Sequence, residues 1–350
     1  MTSCQVQINT KFATIQPCRN EVIMNRINIA IALDQNVLCP AYVMLRSLAI
    51  NNSASQVYVY VLHSKLTKVD CDFLQDALTQ DNDNNRMIFI PIDASKTANL
   101  PYNHLWSLEM YYRLMLPELL GDKLDRILYL DIDIIVHKDI SDFYNMDFEG
   151  NLLIAAKDME IDNILTQDTP EAHNHNIFFK DLIEKENMTY FCSGVLLMNL
   201  AALKEHYSFD KYLEIFYKIS DCILLPDQDL LNFVHYKQVK FVDEKRFGLF
   251  TQTAHQLGMT YDDVYSTVSI FHFTGQAKPW TVNLIRYDIE KIWWEYAKQT
   301  PFYYEILEQV FFHYLKNHFV EDKIQEMADE NNALKELLHK YQCLVEKLSS

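Results

Sequence analysis

The sequence predicts an α/β fold: a mostly parallel central sheet with flanking helices, running into a helical C-terminal region that ends in a coiled coil. Three observations carry this expectation. Apolar runs of strand length recur along the 350 residues, helical patterns separate the early ones, and the last thirty residues change to a heptad rhythm. The runs are INIAIAL (27–33), VYVYVLH (57–63), MIFIPID (87–93), RILYLDIDIIV (126–136), LLIAAKD (152–158), GVLLMNL (194–200), VKFVD (239–243) and VSIFHFT (268–274). Several are almost continuously apolar, as strands covered on both faces are. Helical patterns at 40–51, 67–80 and 106–116 alternate with the first four, which is how right-handed crossovers read in sequence. In such sheets ligands gather beyond the carboxyl ends of the strands.

The later segments complete the organisation. Residues 160–187 are polar and irregular, and are expected to form a long loop that serves as a lid or binding wall. Residues 284–319 are rich in aromatics and are expected to pack on the core; a membrane-surface helix is the second reading, although acidic residues offset the lysines. From Ile324, apolar residues step by three and four through Met327, Asn331, Leu334, Leu338, Tyr341, Val345 and Leu348. Asn331 falls at an a position, where a polar residue sets register, and Glu330 and Lys335 occupy g and e positions that can pair across a parallel dimer. Leu337 and Leu344 at g broaden the stripe. The expected divisions are a loose extension at 1–25, the main body at 26–280, an aromatic-rich helical region at 281–320 and an oligomerising helix at 321–350.

Composition narrows the function. A chain that is 49% hydrophobic and 23% charged can bury a sizeable core. A formal net charge of -17 argues against nucleic acid as a partner, though not against one small anion held by a metal. Seven cysteines, odd in number and without a C-x-x-C, point away from a disulfide framework or a zinc site and toward a reducing, cytoplasmic setting. No run reaches the ~18 apolar residues of a membrane-spanning helix. Residues 1–24 lack the apolar block of a signal peptide.

The chemistry concentrates in LYLDIDIIV. Alternate residues of a strand share a face, so Asp131 and Asp133 are expected to project together, about 7 Å apart at the backbone. Two carboxylates so placed repel unless a cation joins them, which suits a hard divalent ion. Such a pair after an apolar strand fits either a phosphatase-type nucleophile or a metal-bound diphosphate. The strand–helix units that precede it, and Ile135 in place of the usual Thr or Val, favour the second.

Four stretches in order, AIALDQN (30–36), LYLDIDIIV (128–136), FCSGVLLMNL with LPDQDLLN (191–200 and 225–232) and FHFTGQAKPW (271–280), resemble glycosyltransferase family 8, the retaining bacterial enzymes of lipooligosaccharide galactosyltransferase type. The resemblance spans residues 26–300. It implies a GT-A, Rossmann-like fold and transfer of galactose or glucose from a UDP-sugar to a glycan, glycolipid or glycoprotein acceptor. By the same likeness, Asp131, Asp133 and His272 would ligate Mn²⁺, with Mg²⁺ as the alternative. Ala32, Asp34 and Asn36 would hold the uridine; Ser107 and Arg113 would face the diphosphate and sugar. Ser193 and Asp227 would meet sugar hydroxyls, Gly275 and Lys278 the phosphate. Gln228 would lie against the anomeric carbon beside Asp158. One departure stands out: Cys192 occupies a place where the family commonly has Asn, so the sugar preference does not transfer with it. The likeness also implies a setting at the inner face of the membrane. The metal reading requires that His272 reach both acids and that neither acid be locked in an ion pair elsewhere. A hydrolase built on Asp131 and a coiled-coil scaffold with a degenerate body are the competing readings. HNHN (173–176) lacks partners for a zinc site and reads as a solvated loop.

Overall fold

The computed structural model describes residues 25–102, 107–275, 278–281, 287–316 and, in a C-terminal helix, 324–325, 327–332 and 334–340. Among the described residues ten strands form two sheets: β1 (Arg26–Ala32), β2 (Gln56–His63), β3 (Arg86–Pro91), β4 (Arg126–Leu130), β5 (Ile134–Val136), β6 (Leu153–Lys157), β7 (Phe191–Asn199), β8 (Val239–Val242), β9 (Phe247–Phe250) and β10 (Ile270–His272). The larger sheet has the order β3-β2-β1-β4-β7-β6-β8, and the smaller has β5-β10-β9. In the larger sheet β7 is the antiparallel member, pairing β4 and β6, while its other pairings are parallel. The mostly parallel α/β sheet is therefore as the sequence predicts.

Period-two alternation builds the core on both faces. Ile27, Ile29 and Ile31 of β1 face one cluster with the helix Leu38–Asn51 and Trp293. Ala30 faces the other, with Tyr111, Tyr129 and Leu196. The helix Leu38–Asn51 is buried on nearly every side, so its polar residues are bonded rather than solvated. Ser47 Oγ donates to Met44 O (2.7 Å) and accepts from Val136 N (3.0 Å), and Asn51 Nδ2 donates to Val136 O (3.0 Å). These bonds fix β5 and, with it, the end of the acid pair.

The sheet order changes direction at β1: its parallel neighbours are β2 on one side and β4 on the other. That is a topological switch point, where the loops beyond two adjacent strands diverge and leave a crevice. Asp34 follows β1 and Asp131 follows β4 into it.

Three expectations are corrected. The run 126–136 is not one strand. It breaks at Asp131–Asp133, and Ile134–Val136 crosses to the second sheet, antiparallel to β10. The apolar pattern continues through the break because both pieces are buried. Residues 108–115 form a 3₁₀ turn followed by a short helix from Leu116, with Pro117 in its first turn. Residues 160–187 are not a loop but helices Ile161–Ile164 and Pro170–Glu186. Thr169 caps the second helix by accepting from Ala172 N, Pro170 starts it and Asn187 ends it in the left-handed conformation. Phe179 and Tyr190 give it a small core of its own, so the charges that suggested a loop are its solvated face.

Beyond the second sheet, the helix Lys291–Ala297 buries Trp293 against the first core cluster, which satisfies the core-packing expectation for that part. The helix Tyr303–Lys316 instead leaves Tyr304, Leu307, Phe311 and Phe312 exposed. Heptad residues Ile324, Met327, Leu334 and Leu338 are helical and exposed, whereas Tyr341, Leu344, Val345 and Leu348 lie outside the described residues, as do residues 1–24.

Candidate functional site

Asp131, Asp133 and His272 converge. One ligand atom from each lies within 4.8 Å of the others. His272 ends β10, and β10 lies against β5, so the antiparallel pairing His272↔Ile134 brings the imidazole beside the acid pair. Its Nε2 lies 3.1 Å from Asp133 Oδ1 and 3.9 Å from Asp131 Oδ2. Two carboxylates and one imidazole suit Mn²⁺ or Mg²⁺ in donor type and number. The set is made possible by Gly194 of β7. A Cβ there would lie 2.4 Å from His272 Cε1 and 2.6 Å from Asp131 Oδ2. Gly194 O also accepts from Asp131 N (2.9 Å) as the chain leaves β4.

Both acids are ion-paired, and the requirement was that neither be locked in a pair elsewhere. The partners, however, are two basic residues read into the same site. Arg113, 4% exposed, donates from Nη2 to Asp131 Oδ1 (2.7 Å), and its Nε lies 3.0 Å from Asp227 Oδ2. Its Nη1 donates to Ser193 O and Oγ, and its guanidinium lies over the Tyr129 ring. Lys278 Nζ donates to Asp133 Oδ2 (2.6 Å) and Phe273 O (2.5 Å). Asp131 Oδ2 remains turned toward His272. The acids are thus neutralised within the site, not drawn out of it.

The electrostatics follow from this packing. Burial opposes ionisation of Asp133, but Lys278 and His272 outweigh it and hold the carboxyl well below its usual range. Burial alone would keep His272 neutral; the Asp133 carboxylate reverses that and raises the imidazole well above its usual value. Metal ligation at Nε2 therefore requires release of the proton shared with Asp133. Burial pushes Asp227 up to about 6 against the pull of Arg113, and it also raises Asp158.

Across from the cluster, Gln228 is held at both ends of its carboxamide. Its Oε1 accepts from Ser193 N (2.9 Å), and its Nε2 donates to Asp158 Oδ2 (2.9 Å). Asp158 ends β6, where Oδ1 accepts from Glu160 N. Asp158, Ser193, Asp227 and Gln228 are thereby joined to the acid cluster through Arg113. Asp34 follows Ala32 at the end of β1 and caps a short turn, accepting from Asn36 N (2.8 Å) and Asn36 Nδ2 (2.9 Å). Gly275 has φ +82, the left-handed region that glycine tolerates. Ser107 is exposed and makes no capping bond.

Sequence reasoning missed three participants. Cys192 Sγ contacts His272 Nδ1 (3.6 Å), the ring nitrogen turned away from the acids; burial raises this thiol. Asp229 is fully buried. It accepts from Leu224 N, Leu225 N and the Tyr190 hydroxyl. His175, read as solvated, is 1% exposed and bonded to Asp229, while His173 of the same motif is exposed. The one available signal for the pair was apolar spacing from His175 to Phe178 and Phe179.

The chain thus sets an acid–imidazole cluster at the switch point of an α/β sheet, faced by a fixed carboxamide and buried carboxylates. It belongs to Glycosyl transferase family 8, whose sequence model matches residues 28–283. The lipopolysaccharide 1,2-glucosyltransferase of Escherichia coli (strain K12) is 26% identical over 258 residues, covering 73% of this chain and 72% of that protein. The lipopolysaccharide 1,3-galactosyltransferase of Salmonella typhimurium is 23% identical over 261 residues, covering 73% of each. Among solved structures, the galactosyltransferase LgtC in complex with donor and acceptor sugar analogs shares the fold. Its TM-score is 0.65 at 23% identity, over 79% of this chain and 96% of that one. The hydrolase and scaffold readings find no support in these likenesses.

Proposed function

We propose that the chain moves a hexose, glucose or galactose, from a UDP-sugar to an acceptor hydroxyl of a lipooligosaccharide or related surface glycan, with retention and with Mn²⁺. The convergence of Asp131, Asp133 and His272 within 4.8 Å at the switch point carries this reading. The lipopolysaccharide substrates named for the relatives support the acceptor class.

A divalent ion on Asp131, Asp133 and His272 would bind the diphosphate and offset the charge that develops on it as it leaves. With the ion held there, Lys278, which bonds Asp133, would be available to offer its charge to the phosphate, a role Gly275 would assist by permitting close backbone approach. Ala32, Asp34 and Asn36 hold the nucleoside at the end of β1. Arg113 orients Asp131 and Asp227 and keeps both acids fixed relative to the donor. Asp158, Ser193 and Asp227 read sugar hydroxyls, with Ser107 at the margin.

Gln228 lies against the anomeric carbon with both ends of its amide engaged, which makes it a positioning dipole and a poor nucleophile. The reading is therefore a same-face substitution. The bond from the anomeric carbon to the diphosphate breaks, the acceptor oxygen bonds on that face, and its proton passes to the departing phosphate oxygen. A trapped glycosyl-enzyme adduct would overturn this route. The chain works at the cytoplasmic face of the membrane, where the exposed Tyr304, Leu307, Phe311 and Phe312 offer an amphipathic contact, and it self-associates through 321–350.

The test is UDP release from a panel of UDP-sugars with and without Mn²⁺. One or two hexose donors should respond, and Asp133→Ala should abolish the response. Absence of any Mn²⁺-dependent UDP-sugar binding in the wild-type chain would refute both donor and function.

A further inference from the structure

The histidine of HNHN that the sequence left without a role sits beneath the sugar-binding end of the site. His175 is 1% exposed and lies on the helix Pro170–Glu186. Its Nε2 is 3.2 Å from Asp229 Oδ1, and its Nδ1 is 2.9 Å from Asn176 Oδ1. Asn176 is oriented by its own donation to Gln167 O (2.8 Å), which turns its oxygen toward the ring. Both ring nitrogens therefore face acceptors. A neutral imidazole can donate from one nitrogen only and would leave the other lone pair against an oxygen; the imidazolium satisfies both.

Asp229 is the hub. Oδ1 accepts from His175 and the Tyr190 hydroxyl, and Oδ2 accepts from Leu224 N (2.8 Å) and Leu225 N (2.7 Å). With four donors and no exposure it is a structural carboxylate. It pins the two residues that lead into the helix Pro226–His235, on whose first turn Asp227 and Gln228 stand. Tyr190 extends the connection, since its carbonyl accepts from Asp158 N (3.0 Å).

We propose that His175 is a buried imidazolium that acts through Asp229 as a positioning residue, holding Asp227, Gln228 and Asp158 toward the donor sugar, so that loss of its proton loosens that end of the site. The inference rests on the transferase reading for its catalytic consequence. The groups facing the ring are Asp229 from the helix Pro226–His235, the Asn176 amide from its own helix, the Phe179 ring (4.7 Å between centroids) and, behind Asp229, the Tyr190 hydroxyl. Among the described residues Asp229 is the charged one. Burial works against the charge and the Asp229 bond works for it, with a net rise above the ordinary histidine value. A raised histidine contributes its full effect below about 6.5 and loses it as pH rises through the folded value. The latch is thus closed at low pH and opens as pH rises through that folded value.

The test uses the full chain. Histidine ring ¹⁵N spectra, assigned with His175→Gln, should give a doubly protonated His175 at pH 7 that loses its second proton only as pH is raised further. Asp229→Asn should remove that elevation. Amide exchange at 224–228 should accelerate as His175 loses its proton and should be fast at all pH in His175→Gln. Kinetically, His175→Gln should lower kcat about tenfold or more, the scale expected when reacting groups are misplaced. UDP affinity should stay within about twofold, since the nucleoside end lies at β1. Asn176→Asp, which keeps the acceptor and adds charge, should move the alkaline limb upward; a merely structural role would leave that limb in place. A neutral His175 at pH 7 overturns the proposal, as does an imidazolium whose loss alters neither exchange at 224–228 nor the alkaline limb. Should no UDP-sugar be turned over, the function falls, while the ring spectra and exchange still decide the latch.

Discussion

Single residues in this site are fixed by contacts that leave little latitude. Gly194 is the sharpest case, because any side chain would enter the space of His272 and Asp131. Gly194→Ala should leave a folded chain, destabilised by about 1–3 kcal/mol through overpacking, with Mn²⁺ affinity lowered at least tenfold. Calorimetric titration with Mn²⁺ checks this, and unchanged affinity would contradict the placement of the cluster. Arg113 is the second case. Removing it by Arg113→Met leaves two acids uncompensated in a buried setting, a loss of roughly 3–5 kcal/mol. Asp227 relieves part of that strain by taking up a proton, since burial already lifts it to about 6. The penalty should accordingly be smaller at pH 5 than at pH 8, as read by urea titration at both. Arg113 and Asp131 were each legible in the sequence as site residues. Their bond was not, because no spacing rule brings residue 113 to residue 131 across a sheet.

At the scale of elements, the helix Pro226–His235 is held at both ends by buried polar groups. Asp229 anchors its start, as described above. At its end His235 is fully buried, with Nε2 bonded to the Tyr212 hydroxyl (2.7 Å) of helix Phe209–Ile219. Burial lowers this imidazole to about 4. A depressed histidine is neutral in the fold while the unfolded chain protonates below about 6.5, so stability is lost as pH falls from there toward 4. The full effect is roughly 3 kcal/mol. Chemical denaturation at pH 7, 5.5 and 4.5 should show this decline, and His235→Gln should flatten it. His175 acts in the opposite direction, losing its contribution as pH rises. His235 lies in a stretch that reads as helix and His175 in one that reads as a solvated loop, and neither bears a local sign of its charge state. Burial and partner, both long-range, set that state.

For the whole molecule, the transferase body and the C-terminal helix are separable expectations. The body buries aromatic residues up to Phe302, and among the described residues no helix is long and apolar enough to cross a membrane. The exposed Ile324, Met327, Leu334 and Leu338 are the residues a heptad seam would bury. Removal of 321–350 should leave Mn²⁺-dependent UDP binding intact while converting an oligomer to a monomer in sedimentation velocity. A full-length monomer at tens of micromolar would refute the seam.

The mostly parallel sheet class, most of its strands and the identity of the acid pair follow from the sequence alone. Hydrophobic period and turn chemistry are local properties, and the four family stretches are read off in line. Tertiary structure decided the rest. The break in the run at 126–136 was invisible because both halves are buried. The helix Pro170–Glu186 was hidden by a solvated face that resembles a loop. The site itself exists because β10 pairs with β5 and Gly194 leaves room between them. Local sequence encodes which groups prefer burial and which prefer water; which carboxylate meets which cation is settled only when strands far apart in the chain become neighbours.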